Sequence, residues 1–197
     1  MIDRDFSHIK NMLRVKARAR RKTFNRSLGG ASWSLPWGHH LDAHLDRGVP
    51  LASYRAIDSE ADPTPIDRLA FHAQAFTGYP RFDTDGMMRF YTPGPSQAFR
   101  RNSMGFEEPA ADGWPITPVL VLVPLLAFDR HGTRLGQGGG HYDRALAMAE
   151  RAAAAEGSPL TKIGIAWSVQ EMEDLPREPW DIPLDIVITE REWIVTS

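Results

Sequence analysis

With 197 residues, 42% of them hydrophobic and 24% charged, and a formal net charge of −2, the chain has the size and make-up of one ordinary globular domain with its own core. The absence of cysteine excludes disulfides and thiolate metal sites. The longest apolar run, Val119 to Phe128, is interrupted by Pro124 and falls short of the roughly 20 residues of a membrane span, while the N-terminal MIDRDFSHIKNMLRVK lacks the apolar stretch of a signal peptide. A cytoplasmic location is the default expectation.

Charge is unevenly placed. Lys10, Arg14, Lys16, Arg18, Arg20, Arg21, Lys22 and Arg26 crowd one segment near the N-terminus. Such a block either attracts a polyanion (nucleic acid, a membrane surface or nucleotide phosphates) or is a solvated helix face. The remainder of the chain is acidic and no nucleic-acid motif accompanies the basic stretch, so neither nucleic acid nor a membrane is expected as a partner. Ile9, Met12, Leu13, Val15 and Ala19 recur at roughly helical spacing without a proline, which predicts a helix over 4–27 with a narrow apolar stripe and a basic outer face, ended by Gly29-Gly30. ASWSLPWGHHLDAHLDRG then reads as a loop followed by a short helix around 39–47, and Leu51 to Ala56 as a strand.

Beyond Glu60 and Asp62, the triplet Pro63-Thr64-Pro65 predicts a helix capped by Thr64, with Pro65 at its first position and Ile66, Leu69, Ala70 and Ala73 on its buried face. From Gly78 to Trp114 the chain is rich in Gly, Pro and polar residues; one strand is expected at Met88–Tyr91, and periodicity gives no topology. Val119 to Val123 is a continuous branched and leucine run, suited to a parallel strand buried on both faces. A glycine-rich loop from Gly132 to Gly140, a helix over 142–155 and two further apolar runs, Ile163–Trp167 and Ile186–Thr189, complete a βαβ grammar. One α/β domain over residues 1–197 is the expectation.

The most informative stretch is PLLAFDRHGTRLGQGGGHYDRAL, Pro124 to Leu146. Gly136, Gly138, Gly139 and Gly140 between a buried strand and a helix let the backbone come close to a ligand and turn its N–H groups toward it. The positive end of the helix dipole and the charge of Arg134 suit that place to a phosphate. Neither familiar phosphate loop fits: His141-Tyr142 stand where a Walker loop has Lys and Ser/Thr, and GxGxxG counted from Gly136 lands on His141. A conformationally required loop without a ligand is the other reading.

RLGQGGGHYDRAL resembles the R-L-G-x-G-x-G-Y-Y-D-x-x-L signature of 5-formyltetrahydrofolate cyclo-ligases, also called methenyltetrahydrofolate synthetases, and VLVPLLAFDRHG resembles that family's P-x-x-A-F-D-x-x-G. His141 takes the place of the first tyrosine. Lys10-Asn-Met-Leu13-Arg14 is similar to the family's K-x-x-L-R, Gly105-Phe-Glu-Glu108-Pro109 to its G-I-x-E-P, and Gly164-Ile-Ala-Trp-Ser-Val-Gln170 with Leu175-Pro176, Asp181, Asp185 and Thr189-Glu190 to its closing pattern. The resemblance runs from residue 10 to residue 190, loosest over 78–101 and 33–37. It implies a three-layer, NagB/RpiA/CoA-transferase-like sandwich with a mainly parallel sheet, and an enzyme that uses ATP and Mg2+ to close a reduced folate. It assigns ATP to Lys10, Arg14, Arg134, Leu135, Gly136, Gln137, Gly138, Gly139, Gly140, His141 and Tyr142. The folate falls to Glu60 with Gly138, Gly139, Gly140, His141 and Tyr142, and the metal to Asp143 and Asp181.

Each assignment has a plainer counterpart. Asp143 is also a carboxylate at the favourable end of a helix, Asp181 a turn former in a Pro-rich loop, and Tyr142 a ring packed beside the sheet. His39, His40, His44 and His72 form no zinc-ligand pattern, and the six tryptophans, Trp33, Trp37, Trp114, Trp167, Trp180 and Trp193, suit a core at least as well as a stacking platform. Two other functional classes stand beside the cyclo-ligase: a diverged paralogue that binds a nucleotide or phosphorylated ligand without closing a folate, and a non-enzymatic protein binding RNA or membrane through residues 10–26.

Overall fold

The computed structural model describes residues 3–29 and 38–197. Gly30, Trp33 and Trp37 therefore lie outside the described residues. Helix α1 covers Asp3–Ser27 and the short α2 Gly38–Leu41. Next in the chain are β1 (Pro50–Ala52), α3 (Thr64–His72), β2 (Phe76–Phe82), β3 (Met88–Thr92), β4 (Phe99–Arg101), β5 (Glu107–Pro109) and β6 (Trp114–Pro115). The second half holds β7 (Leu120–Pro124), β8 (Ala127–Phe128), β9 (Arg134–Leu135), α4 (His141–Ala155), β10 (Thr161–Ile165), β11 (Ile186–Ile188) and β12 (Trp193–Val195). No helix among the described residues is long and apolar enough to cross a membrane.

Eight strands form one sheet in the order β12-β11-β10-β7-β1-β2-β3-β6. Its centre, β11-β10-β7-β1-β2, is parallel, and antiparallel strands close both edges. The pleat of β7 sorts the core. Leu120 and Leu122 face a cluster with Leu51, Ile163 and α3's Ile66 and Ala70, while Val121 and Val123 face Ala52, Val187 and α4's Ala145 and Leu146. With both faces covered, the strand has no position for a polar side chain, which is why its sequence is an unbroken apolar run. The chain leaves β1 through α3 toward β2 and leaves β7 through α4 toward β10, in opposite directions along the sheet. Between the carboxyl ends of β1 and β7 this reversal opens a crevice, the place where open α/β sheets bind ligands.

Several boundaries differ from the sequence reading, and α1 differs in its facing. The expected stripe is not the buried one: Ile9, Met12 and Val15 are exposed, the last two by 63% and 68%, whereas Lys10, Ala17 and Arg21 are buried with Leu13 and Phe24 packed beside them. Lys10 and Arg21 find carboxylates inside the fold, so the helix turns its cations inward and leaves methionine and valine to solvent. The helix expected around 39–47 ends at Leu41, where a turn takes over and the Leu45 N–H returns to the Leu41 carbonyl. β1 stops at Ala52 because the chain lifts off the sheet there, tied across the excursion by the Tyr54 hydroxyl donating to the Ala61 carbonyl at 2.5 Å. Thr64 opens α3 without capping it; its N–H and hydroxyl both donate to Asp62 Oδ1. The loop expected from Gly132 to Gly140 is interrupted by β9, which pairs with β8.

Asp67, on α3, accepts from the Tyr79 hydroxyl at 3.3 Å, and burial pushes its carboxyl up to about 6, outweighing the hydroxyl that stabilises its charge. Between 3.8 and about 6 the folded protein keeps a proton that the unfolded chain has released, so this group lowers stability as pH rises through that window. Urea unfolding from pH 4 to 8 is expected to show Asp67→Asn flattening that slope and raising stability at pH 7 by on the order of 2–3 kcal/mol.

Candidate active site

The crevice holds a cavity of about 780 Å³, and one wall is the glycine loop. The loop is fixed from below. Asp129, buried, accepts the N–H groups of His131 and Thr133 through Oδ1 and that of Leu175 through Oδ2, which shapes the turn between β8 and β9. At Gly132, φ is +78° and an added Cβ would lie 2.4 Å from the Leu184 carbonyl oxygen, so no side chain fits. Farther on, Gly138 at φ +104° and Gly140 at φ +62° turn the chain into α4. Among the described residues no acceptor takes the N–H groups from Gly138 through Asp143, which include those of the first helical turn. A run of unclaimed N–H groups at a helix start is an anion nest.

Arg14 lies on this loop, its Nε donating to the Gly136 carbonyl at 3.0 Å and its guanidinium 3.2 Å from where a Cβ on Gly138 would stand. Arg18 reaches Gln137 Oε1 at 2.7 Å. Lys10, one turn before Arg14, goes elsewhere: its Nζ sits 2.6 Å from both Glu178 Oε2 and Asp181 Oδ2. Burial opposes the Lys10 charge, but hydrogen bonds and attraction from Asp181 and Glu178 prevail and hold its pKa above the ordinary value. Arg134 donates to the Ile182 carbonyl and pairs with Asp143 Oδ1 at 2.5 Å; the same oxygen accepts the Ile182 N–H at 3.2 Å. Residues 178–182 thus gather Asp143 and Asp181, far apart in sequence, beside the loop.

Glu60 also lines the cavity. Its Oε2 accepts the Ile57 N–H at 3.1 Å and its Oε1 faces Arg21 at 3.6 Å. Burial pushes this carboxyl up, against the Ile57 N–H and the Arg21 charge that pull it down. Arg21 also donates to Ser59 Oγ and to the Leu125 carbonyl, so one guanidinium joins α1, the segment after β1 and the end of β7. Tyr142 completes this side: its hydroxyl is buried with no hydrogen-bond partner among the described residues, and burial drives its pKa upward. An orphaned hydroxyl lining a cavity calls for an acceptor or donor from a ligand.

Sequence reasoning missed the apolar wall. Phe82 on β2, Met88 on β3, and Met104 and Phe106 between β4 and β5 line the cavity. Phe82 lies 5.8 Å from the Phe106 ring and 4.9 Å, edge to face, from His141. Buried Glu108 ties the β4–β5 hairpin down, accepting the Phe82 N–H and Asn102 Nδ2 on Oε2 and Arg100 on Oε1. The motif containing Glu108 was the one available signal. Of the described tryptophans, Trp167 is core while Trp180, 61% exposed, lines the cavity.

All the residues expected for ATP, folate and metal line this single cavity, although Leu135 points its side chain into a small core with Ala17 and Leu126. Among the described residues no three His, Asp or Glu side chains are disposed to hold a metal ion by themselves. The oxygen donors of Asp143 and Asp181 do fit Mg2+, which uses one or two carboxylates and completes its shell with water and phosphate oxygens.

The fold is a mainly parallel α/β sheet whose switch-point crevice combines a run of unclaimed N–H groups at a helix start with an apolar wall. Comparison with known proteins specifies the class: the model of the 5-formyltetrahydrofolate cyclo-ligase family matches residues 46–190, and the chain belongs to that family. It is 31% identical over 145 residues to the 5-formyltetrahydrofolate cyclo-ligase of Escherichia coli K12, covering 71% of this chain and 76% of that one. The Haemophilus influenzae enzyme of the same name is 35% identical over 99 residues, 48% of this chain and half of the relative's length. Among solved structures, that of Aquifex aeolicus 5,10-methenyltetrahydrofolate synthetase superimposes with a TM-score of 0.68 at 27% identity, covering 95% of this chain and 92% of that one. The family match begins after α1, so Lys10 and Arg14 lie outside it.

Lys10→Met leaves Glu178 and Asp181 facing each other without a counter-charge. Because the pair is partly screened, the expected loss at pH 7 is about 1–3 kcal/mol in chemical denaturation.

Proposed function

We propose that the protein is a 5-formyltetrahydrofolate cyclo-ligase that closes its substrate to 5,10-methenyltetrahydrofolate while converting ATP to ADP and phosphate, acting in the cytoplasm on small molecules alone. The observation that carries this reading is the two-sided cavity: unclaimed N–H groups of Gly138–Asp143 with Arg14 and Arg134 on one side, Phe82, Met88, Phe106 and Glu60 on the other. A nucleotide phosphate chain suits the first side and a folate ring system the second.

The formyl oxygen attacks the γ-phosphorus, and the bond from that phosphorus to the ADP oxygen breaks. The neighbouring folate nitrogen, N10, adds to the activated formyl carbon and loses its proton; the carbon–oxygen bond then breaks and releases phosphate, leaving the methenyl ring. Phosphoryl transfer asks for alignment and charge stabilisation more than for covalent help. The loop amides, Arg14 and Arg134 supply these, and Lys10 holds the acidic segment 178–181 in register. Asp143 and Asp181 would hold Mg2+, which supplies further neutralisation of the phosphate charge when bound. Glu60, braced by Arg21 and the Ile57 N–H, orients the formyl-bearing ring, and the Tyr142 hydroxyl gains its missing partner from the bound folate.

Absorbance of the methenyl product, followed with 5-formyltetrahydrofolate, Mg2+ and with or without ATP, tests the reading. An ATP-dependent rise, reduced by about a hundredfold or more in Asp143→Ala, is expected. No rise from protein that still binds ATP would overturn it in favour of a diverged paralogue. His141→Tyr, which restores the family residue, is expected to keep kcat within about threefold, since the ring contact with Phe82 survives.

A further inference from the structure

Most cations around the cavity are already neutralised. Lys10 faces two carboxylates, Arg134 faces Asp143, and Arg21 faces Glu60. Arg144, like Arg14, is not so neutralised. It sits in the first turn of α4 and lines the cavity, and its Nη2 lies 3.0 Å from the Gly139 carbonyl oxygen and 3.0 Å from His141 Nδ1. Both partners are acceptors here, since a guanidinium only donates. Among the described residues no carboxylate lies within ion-pair distance of it. Its Nη1 is 2.9 Å from where a Cβ on Gly140 would stand, so the absence of a side chain there is what seats the guanidinium on the loop.

This placement is electrostatically unfavourable in the protein alone. A cation in the first turn of a helix opposes the helix dipole, at a cost of about 0.3–1 kcal/mol, and this one sits on the loop whose unclaimed N–H groups carry partial positive charge themselves. A phosphate held by those N–H groups reverses the sign of the interaction. Arg14 occupies the Gly136–Gly138 end of the loop and Arg144 the Gly139–Gly140 end.

We propose that Arg144 is a phosphate-binding residue, clamping the terminal phosphates of the nucleotide from the end of the loop that Arg14 leaves uncovered. The proposal rests on the nucleotide reading of the site given above. His141 stands beside this guanidinium, its Nδ1 accepting from Arg144 Nη2 and its ring edge to face with Phe82.

Titration calorimetry with ATP and with AMP, on wild type, Arg144→Gln and Arg144→Lys, tests it. Glutamine keeps a donor for the Gly139 carbonyl and loses the charge; lysine keeps the charge and loses the planar fork. The expected result is an ATP affinity at least about tenfold weaker in Arg144→Gln, an AMP affinity within about threefold of wild type, partial retention in Arg144→Lys and an unchanged thermal midpoint. Wild-type ATP affinity in Arg144→Gln would overturn the proposal and leave Arg144 as a clip on the loop. Equal losses for ATP and AMP would overturn it as well, by pointing to a collapsed loop. Wild-type protein that binds neither nucleotide would sink the nucleotide reading itself, and this residue's role with it.

Discussion

Arg21 is buried to 3% exposure at the meeting point of three chain segments, and the site depends on how its charge is satisfied there. Its Nε donates to Ser59 and its Nη1 to the Leu125 carbonyl, with the Glu60 carboxylate 3.6 Å away. Burying a guanidinium is costly unless charge and hydrogen bonds replace its water, and the compensation comes from the segment after β1 and the end of β7. Those are the two sides of the switch-point crevice. Arg21 thus joins both to α1 and sits beside the Glu60 carboxylate. Lys10, about three turns earlier on the same helix face, does the same for residues 178–181. Helix α1 is therefore held by ionic as well as apolar contacts, and its position is tied to the geometry of the site it borders.

The distribution of charge around the cavity follows one logic. Acids that would repel a phosphate are each matched to a cation, Asp143 to Arg134 and Glu178 and Asp181 to Lys10. With those acids matched, the glycine loop presents a row of backbone donors whose N–H groups have no acceptor among the described residues. Glycine at 138 and 140 makes this possible, because the left-handed backbone there points successive N–H groups to one side. Phe82, Met88 and Phe106, in the same cavity, offer no polar side-chain donor, so its lining is divided between backbone donors and apolar side chains.

What the sequence disclosed was local. The β7 run and the α4 periodicity were legible because each element's burial is written in its own residues, and the glycine loop because its composition answers to backbone conformation rather than to distant partners. The family resemblance then named residues from Lys10 to Asp181 that the fold gathers around one cavity. The facing of α1 was not legible: hydrophobicity favours burying Met12 and Val15, and the carboxylates that reverse this for Lys10 lie 168 and 171 residues away. The span from Gly78 to Trp114 resisted for another reason. Its strands β4, β5 and β6 are two or three residues long and partly exposed, too short for alternation to register, and the apolar wall they help to carry has no local pattern.

Phe82 touches Phe106 on one side and His141 on the other, while its backbone N–H is held by Glu108. One ring is thus shared between the aromatic half of the cavity and the anionic half. Evolution acting on this chain cannot tune the two halves separately: a change of ring size at position 82 has to be answered at 106 and at 141 together. His141 is then one half of a matched pair with Phe82.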